Sequence, residues 1–210
     1  MLYKRLVSFG AAVLFTALIT ATSAAIAQDG QQSTSGKVQV TANVPKFIVL
    51  HYYSSLTLNF EQPTSAALDQ GDNTMSVSWT GTTSGGGELS EANLMTAKTG
   101  LETGVITVTI PKIWAVRGFS DSGNAEVSVS ISDGGDKLTR KNNTVESVIG
   151  MSNVVVSDGV TTGSTIKTNL GGISKSSTTP GGVQLDLDFR QTKLSGSHSG
   201  GGYTITASTI

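Results

Sequence analysis

The chain has 210 residues, contains no cysteine, and carries 14 basic against 15 acidic residues, for a formal net charge of -1. The lack of cysteine excludes disulfide bonds, thiolate catalysis, cysteine-bound zinc and iron–sulfur clusters, and the near-zero charge argues against a nucleic-acid partner. Glycine, serine and threonine make up more than a third of the chain. Together with many short Val/Ile runs, this composition is typical of an all-β extracellular protein.

The N-terminus has the order of a cleaved secretory signal. Two basic residues precede an uncharged apolar run, and Ala25 and Ala27 place small residues where a signal peptidase reads them. The apolar run is about 15 residues long, whereas crossing a bilayer takes about 20, so an uncleaved membrane anchor is the less favoured alternative. We therefore predict a signal peptide over residues 1–27, a flexible lead over residues 28–36, and one domain over residues 37–210 that does not insert into a membrane.

Apolar and polar residues alternate with a period of two along much of the remaining chain, which predicts β-strands. The predicted strands lie at residues 38–44, 47–53, 56–60, 75–79, 105–110, 113–116, 127–131, 154–156, 183–189 and 203–207. Pro45 and Pro111 should each end the strand before them, because proline cannot donate to a ladder. Residues 133–136 (DGGD) predict a tight hairpin, and residues 88–98 are compatible with a helix of one or two turns.

This arrangement predicts an all-β fold. We expect a single antiparallel β-sandwich of the immunoglobulin-like kind, with about ten short strands and at most one short helix. A parallel sheet is disfavoured because the sequence lacks the helices that would connect its strands.

Few residues are suited to catalysis or metal binding. His198 lies in a glycine-flanked loop, where we expect a solvated side chain rather than an oriented general base. Asp186 and Asp188 share one strand face and could form a carboxylate pair or a calcium site, but an outward polar face beside Arg190 is the simpler interpretation. We expect no enzymatic activity, no cofactor and no metal.

Aromatic residues suggest an alternative function. A planar ring packs on the apolar face of a sugar, and Tyr53 and Trp114 are the candidate glycan-contact residues. On this interpretation the protein would be a soluble carbohydrate- or protein-binding β-sandwich module.

The two ends of the predicted domain carry a further pattern. Residues 36–44 (GKVQVTANV) alternate valine or alanine with polar residues, residues 56–60 (LTLNF) follow, and residues 201–208 (GGYTITAS) close the chain. This layout resembles that of bacterial fimbrial subunits and related exported, pilin-like β-sandwich domains. The resemblance is confined to these ends of the chain.

The resemblance implies a subunit that lacks one strand of its sandwich and receives it from a neighbour by strand addition. The inserting side chains would be those of Val38, Val40, Ala42 and Val44. The edge of the receiving groove would be formed by Tyr203, Ile205 and Ala207. The other interpretation makes residues 37–44 the first strand of the domain itself.

We therefore predict a secreted or cell-surface protein with a structural or adhesive role, most simply a fimbrial or surface-fibre subunit that assembles by β-strand addition. Its partners would be copies of itself or related subunits. In a cell with an outer membrane, it would pass through the periplasm and meet a periplasmic chaperone there.

Overall fold

The computed structural model describes residues 34–61, 74–84, 95–100 and 103–210. The predicted signal peptide and residues 28–33 of the predicted lead lie outside the described residues. The described strands are β1 Phe47–Phe60, β2 Thr74–Ser84, β3 Met95–Gly100, β4 Val105–Phe119, β5 Asn124–Ile131, β6 Lys137–Lys141, β7 Glu146–Ser157, β8 Thr162–Gly163, β9 Thr165–Asn169, β10 Thr179–Asp188 and β11 Tyr203–Thr209. Among the described residues, the single helical element is a 3-10 turn at Lys175–Ser177. The predicted all-β, sandwich-like fold is therefore confirmed.

The strands form two antiparallel sheets. The larger sheet has the order β1-β2-β3-β4-β10-β7-β6, with β8 beside β7, and the smaller has the order β11-β5-β9. Within β4, Ile106 pairs with Thr99 of β3 on one side and with β10 on the other. Trp114 likewise pairs with Tyr52 of β1 on one side and with β10 on the other. Because β1 and β3 share one edge of β4, the larger sheet curls strongly.

The core is built from inward-facing side chains of both sheets. The longest strand, β4, buries alternate residues over its first half and a continuous run over its second. Its buried aliphatic partners on β5 and β10 are Val127, Val129, Val183, Leu185 and Leu187. Burying an aliphatic side chain of this size contributes about 1.5–3 kcal/mol, so these strands carry much of the stability of the fold.

Strand β4 continues through Pro111, contrary to the prediction that this proline ends a strand. The pairing with β10 shifts register between Gly181 and Val183, opposite residues 111–113 of β4. Lys112 adopts a positive φ of 53°. The irregularity is a β-bulge, in which the inserted residues make no ladder bond. A proline is tolerated there because no N–H is required of it.

The predicted hairpin at residues 133–136 is a turn but not a hairpin. The N–H of Gly135 donates to the carbonyl of Ser132 at 2.8 Å, as a tight turn requires. However, the turn leads from β5 in the smaller sheet to β6 in the larger one. Turn residues determine a local reversal of the chain, and they do not determine which strand becomes the partner.

The helix predicted over residues 88–98 is wrong at its C-terminal end, where the structure has a strand. Met95–Gly100 forms β3, which pairs with both β2 and β4, whereas residues 88–94 lie outside the described residues. Helix propensity over so short a stretch is weak, and pairing on two sides outweighs it.

Candidate functional site

A cleft of about 810 Å³ lies beside the C-terminal half of β1. It is lined by residues 53–60 of β1 and by Thr192 and residues 194–203, which lead into β11. We call residues 191–202 the wall segment. Between these two groups, the lining consists of apolar side chains of β6, β7 and β10, namely Leu138, Ile149, Met151, Leu185 and Leu187. The part of the cleft formed by β6, β7 and β10 is therefore apolar, whereas its two sides also carry serine, threonine and asparagine residues.

Strand β1 presents alternate apolar side chains to this cleft. The register with β2 shifts directly after the buried Tyr53, and Leu56, Leu58 and Phe60 then share one face, each only half-buried. Phe60 meets Phe189 edge-on, with ring centroids 5.3 Å apart. Large apolar side chains that stay half-exposed in a cleft are suited to accept an apolar partner.

Strand β11 has one side that pairs with no other described strand. Within the described residues β11 pairs only with β5, and we call its other side the open edge. Ile205 lies opposite Val129, which donates its N–H to the carbonyl of Ser164 on the far side of β5, at 2.9 Å. Ile205 and Val129 therefore form a non-hydrogen-bonded pair, in which each residue turns its own N–H and C=O away from the other strand. The backbone groups of Ile205, and by alternation those of Tyr203 and Ala207, therefore point to the open edge.

The three residues predicted to form the groove edge thus occupy alternate positions of β11, and the backbone groups of all three point to the open edge. Their side chains are half-buried and pack against the core, and Tyr203 also lines the cleft. Burial raises the pKa of the Tyr203 phenol to about 12.

The predicted inserting residues lie outside every described strand. Residues 34–46 contain no strand and are exposed, so the half-buried strand predicted over residues 37–44 does not form. The side chains of Val38, Val40 and Val44 are 82%, 88% and 64% exposed, and Ala42 is exposed as well. The alternation indicates which side chains can be buried together, but it does not indicate which surface would bury them.

The prediction that Trp114 contacts a glycan is wrong. Its ring is fully buried, its Nε1–H donates to the carbonyl of Gly182 at 2.9 Å, and Gly181 lies directly against it. No sugar can reach a ring in this position. Tyr53 lines the cleft but is only 9% exposed; it meets Trp79 edge-on at a centroid distance of 4.8 Å and offers no ring face as a platform.

His198 is not the freely solvated side chain that its glycine-rich surroundings predict. It is half-buried, its Nε2 lies 2.9 Å from Ser147 Oγ, and its Nδ1 lies 2.9 Å from the carbonyl of Gly196. Ser147 is 51 positions away in the chain, so local sequence gives no signal for this contact.

The two aspartates of β10 are engaged with neighbours. Asp186 accepts hydrogen bonds from Thr107 at 2.6 Å and from Asn153 at 2.7 Å. Asp188 accepts from Arg190 Nε at 2.9 Å, and this hydrogen bond lowers the pKa of the carboxyl to about 2. Across the described residues, no three His, Asp or Glu side chains come together as a metal site would need.

Comparisons with protein-family models, with curated proteins and with solved structures each give no match. Among the residues that the structure describes, none belongs to a helix with the length and hydrophobicity needed to span a membrane. The interpretation of the cleft therefore depends on its geometry and on the sequence.

Proposed function

We propose that the protein is an exported structural subunit of a surface fibre. Residues 38–44 of one copy add as a strand to the open edge of β11 in the next copy, beside the apolar cleft. Residues 1–27 direct the export, and the protein works at the cell surface or in the secreted fraction. The likeness of the two chain ends to fimbrial subunits supports the same proposal.

One observation carries the proposal: the backbone groups of Tyr203, Ile205 and Ala207 point to the open edge, next to a cleft with apolar lining. An edge strand without a partner is a template for strand addition. Natural proteins usually protect such an edge with charges or proline, and β11 (YTITAST) contains neither.

The exposed N-terminal segment complements this edge. Strand β11 has 7 residues, residues 38–44 make an equal number, and at about 3.3 Å per residue both are about 20 Å long when extended. Val38, Val40, Ala42 and Val44 would face the cleft, while the polar residues between them would face solvent. Burying a valine that is now exposed contributes about 1.5–3 kcal/mol.

Addition of this kind produces a fibre rather than a closed ring. The donating segment and the receiving edge are different surfaces of the chain, so each copy can receive one strand and donate another. In a cell with an outer membrane, a periplasmic chaperone would cover the same edge during transit and be replaced by the next subunit.

The test compares two substitutions to aspartate at adjacent positions, one facing the cleft and the other facing solvent. In light scattering on the chain from residue 28 onward, the unaltered protein should form concentration-dependent multimers. Val40→Asp should weaken assembly by at least about tenfold, because it brings a charge into an apolar cleft. Thr41→Asp, the matched control on the solvent-facing side, should assemble normally. A monomer at all concentrations, or equal effects of the two substitutions, would overturn the proposal.

A further inference from the structure

A buried serine joins the wall segment to β7. Ser147 is fully buried, and its Oγ accepts hydrogen bonds from the backbone N–H of Lys193 at 2.8 Å and of Leu194 at 3.0 Å. His198 Nε2 lies 2.9 Å from the same oxygen, and His198 Nδ1 lies 2.9 Å from the carbonyl of Gly196. Three groups of the wall segment thus converge on one hydroxyl.

These contacts fix the protonation state of the imidazole. A hydroxyl oxygen has two lone pairs and one hydrogen. The two backbone N–H groups use both lone pairs of Ser147 Oγ, so the hydroxyl hydrogen is donated to His198 Nε2. The carbonyl of Gly196 can only accept, so Nδ1 carries the proton. The hydrogen-bond network therefore requires a neutral imidazole protonated on Nδ1.

A second proton on the imidazole is incompatible with this arrangement. Protonated Nε2 would become a donor and face a hydroxyl whose lone pairs are both occupied. Ser147 would have to give up either His198 or a backbone N–H, and its own hydrogen would lose its acceptor in a buried position. Polar groups left unpaired in a protein interior are costly, so protonation of the ring breaks the network.

We propose that His198 is an acid-sensitive latch: at low pH its protonation releases residues 193–198 from Ser147 and loosens one side of the cleft. Release should stay local. The carbonyl of Gln191 accepts the N–H of Val148 at 3.2 Å, and Ser199 exchanges two backbone hydrogen bonds with Thr139, at 2.7 and 3.0 Å. None of these bonds involves a group that titrates.

Among the described residues, the carboxylates on the elements around the wall segment have partners of their own. The elements around the wall segment carry both charged and titratable groups. The charged groups are Lys137, Arg140 and Lys141 on β6, Glu146 on β7, Asp186 and Asp188 on β10, and Arg190 and Lys193 beyond it. The other titratable groups are His51, Tyr52 and Tyr53 on β1 and Tyr203 on β11. Arg140 approaches Gly196 closely and is cationic. Glu146 pairs with Lys141 at 3.6 Å, Asp188 pairs with Arg190, and Asp186 accepts hydrogen bonds from Thr107 and Asn153.

The latch can be tested without any partner, on the chain at concentrations below those at which it assembles. Nitrogen chemical shifts of His198 at pH 7.5 should show the proton on Nδ1. Between pH 7.5 and 5.0, the protection factors of the Lys193 and Leu194 amides against hydrogen exchange should fall at least tenfold. The amides of Thr139 and Ser199 serve as internal controls and should change less than twofold. His198→Gln, which can accept from Ser147 but does not titrate, should remove the pH dependence.

Three results would overturn the latch. They are a proton on Nε2 at pH 7.5, protection that does not change with pH, or the same loss of protection in the His198→Gln protein. The tautomer measurement uses the unaltered chain, so the proposal stays testable even if the variant folds poorly.

The consequence for assembly rests on the proposed function and has its own test. A peptide of residues 36–45 with blocked ends contains Lys37 as its only titratable group. Its affinity for the chain should fall at least fivefold from pH 7.5 to 5.0, and less than twofold in the His198→Gln protein. Failure of the peptide to bind at any pH would refute strand addition but leave the latch to the exchange experiment. Binding that ignores pH while the latch opens would refute the regulation alone.

Discussion

Ile205 lies directly opposite Val129 in the β11–β5 ladder, yet Val129 gives its N–H to Ser164 on the other side of β5. The backbone N–H and C=O of Ile205 are consequently turned away from β5. The same phase holds for Tyr203 and Ala207, so one side of β11 offers a row of hydrogen-bonding groups beside an apolar cleft.

This phase predicts opposite outcomes for two neighbouring prolines. Ala207→Pro removes an N–H that points to the open edge and deletes little side-chain packing, so the β5 ladder should persist while strand addition is lost. Thr206→Pro removes an N–H that bonds to β5 and should destabilise the fold, by about 1–3 kcal/mol for the carbonyl left without its donor. Urea unfolding and light scattering on both proteins measure the two effects. Equal destabilisation by both substitutions would show that the phase of β11 is assigned wrongly.

Trp114 should matter for stability rather than for sugar binding. Trp114→Ala should lower the free energy of unfolding by about 3–5 kcal/mol, because it leaves a cavity in the core and removes the hydrogen bond to Gly182. Tyr52 pairs with Trp114 in the β1–β4 ladder but is 40% exposed. Tyr52→Ala is therefore the matched control, and it should cost clearly less than Trp114→Ala because its ring is only partly buried. A small effect at Trp114 would contradict its place in the core.

Close contact of the backbone with the Trp114 ring predicts a second effect. A Cβ atom on Gly181 would lie 1.9 Å from Trp114 Cζ2, so Gly181→Ala should cost about 1–3 kcal/mol through overpacking. At Gly150, also in a paired strand, the nearest atom would be Asp188 Cβ at 3.4 Å. Gly150→Ala should leave the free energy of unfolding nearly unchanged. Chemical denaturation of both variants measures the difference. Equal midpoints for the two variants would count against the described packing.

The Asp188–Arg190 pair predicts a dependence on acidity. The hydrogen bond from Arg190 lowers the pKa of Asp188 from 3.8 to about 2. A carboxyl with a lowered pKa in the folded state stabilises the fold above its unfolded pKa, and this contribution disappears as the pH falls through about 2. Arg190→Gln should raise the Asp188 pKa toward 3.8, as carboxyl carbon NMR can measure. The stability difference between the two proteins should shrink from pH 5 to pH 2; a constant difference would refute the assignment.

Alternation in the sequence was a good guide wherever the chain itself supplies a partner face. The strands around Val108, Val127, Leu185 and Ile205 were predicted because each buries one side against the other sheet. The strand predicted over residues 37–44 failed because the same pattern says nothing about where a partner face is found. That failure is also what makes the segment a candidate donor.

Features that depend on distant residues were beyond sequence reasoning. Pro111 could not be predicted to lie within a strand, because its tolerance depends on the register shift opposite Gly181 in β10. His198 could not be predicted to bond to Ser147, which approaches it only after β7 is placed. The residues of the open edge were named from the sequence, but the wall segment beside them was not.

The most direct test of strand addition is hydrogen exchange at β11, residue by residue, before and after assembly. Strand addition predicts that the amides of Tyr203, Ile205 and Ala207 exchange rapidly in the monomer and become protected in the multimer. The amides of Thr204, Thr206 and Ser208 should be protected in both states. Unchanged exchange at the first three residues in an assembled sample would contradict strand addition at the open edge.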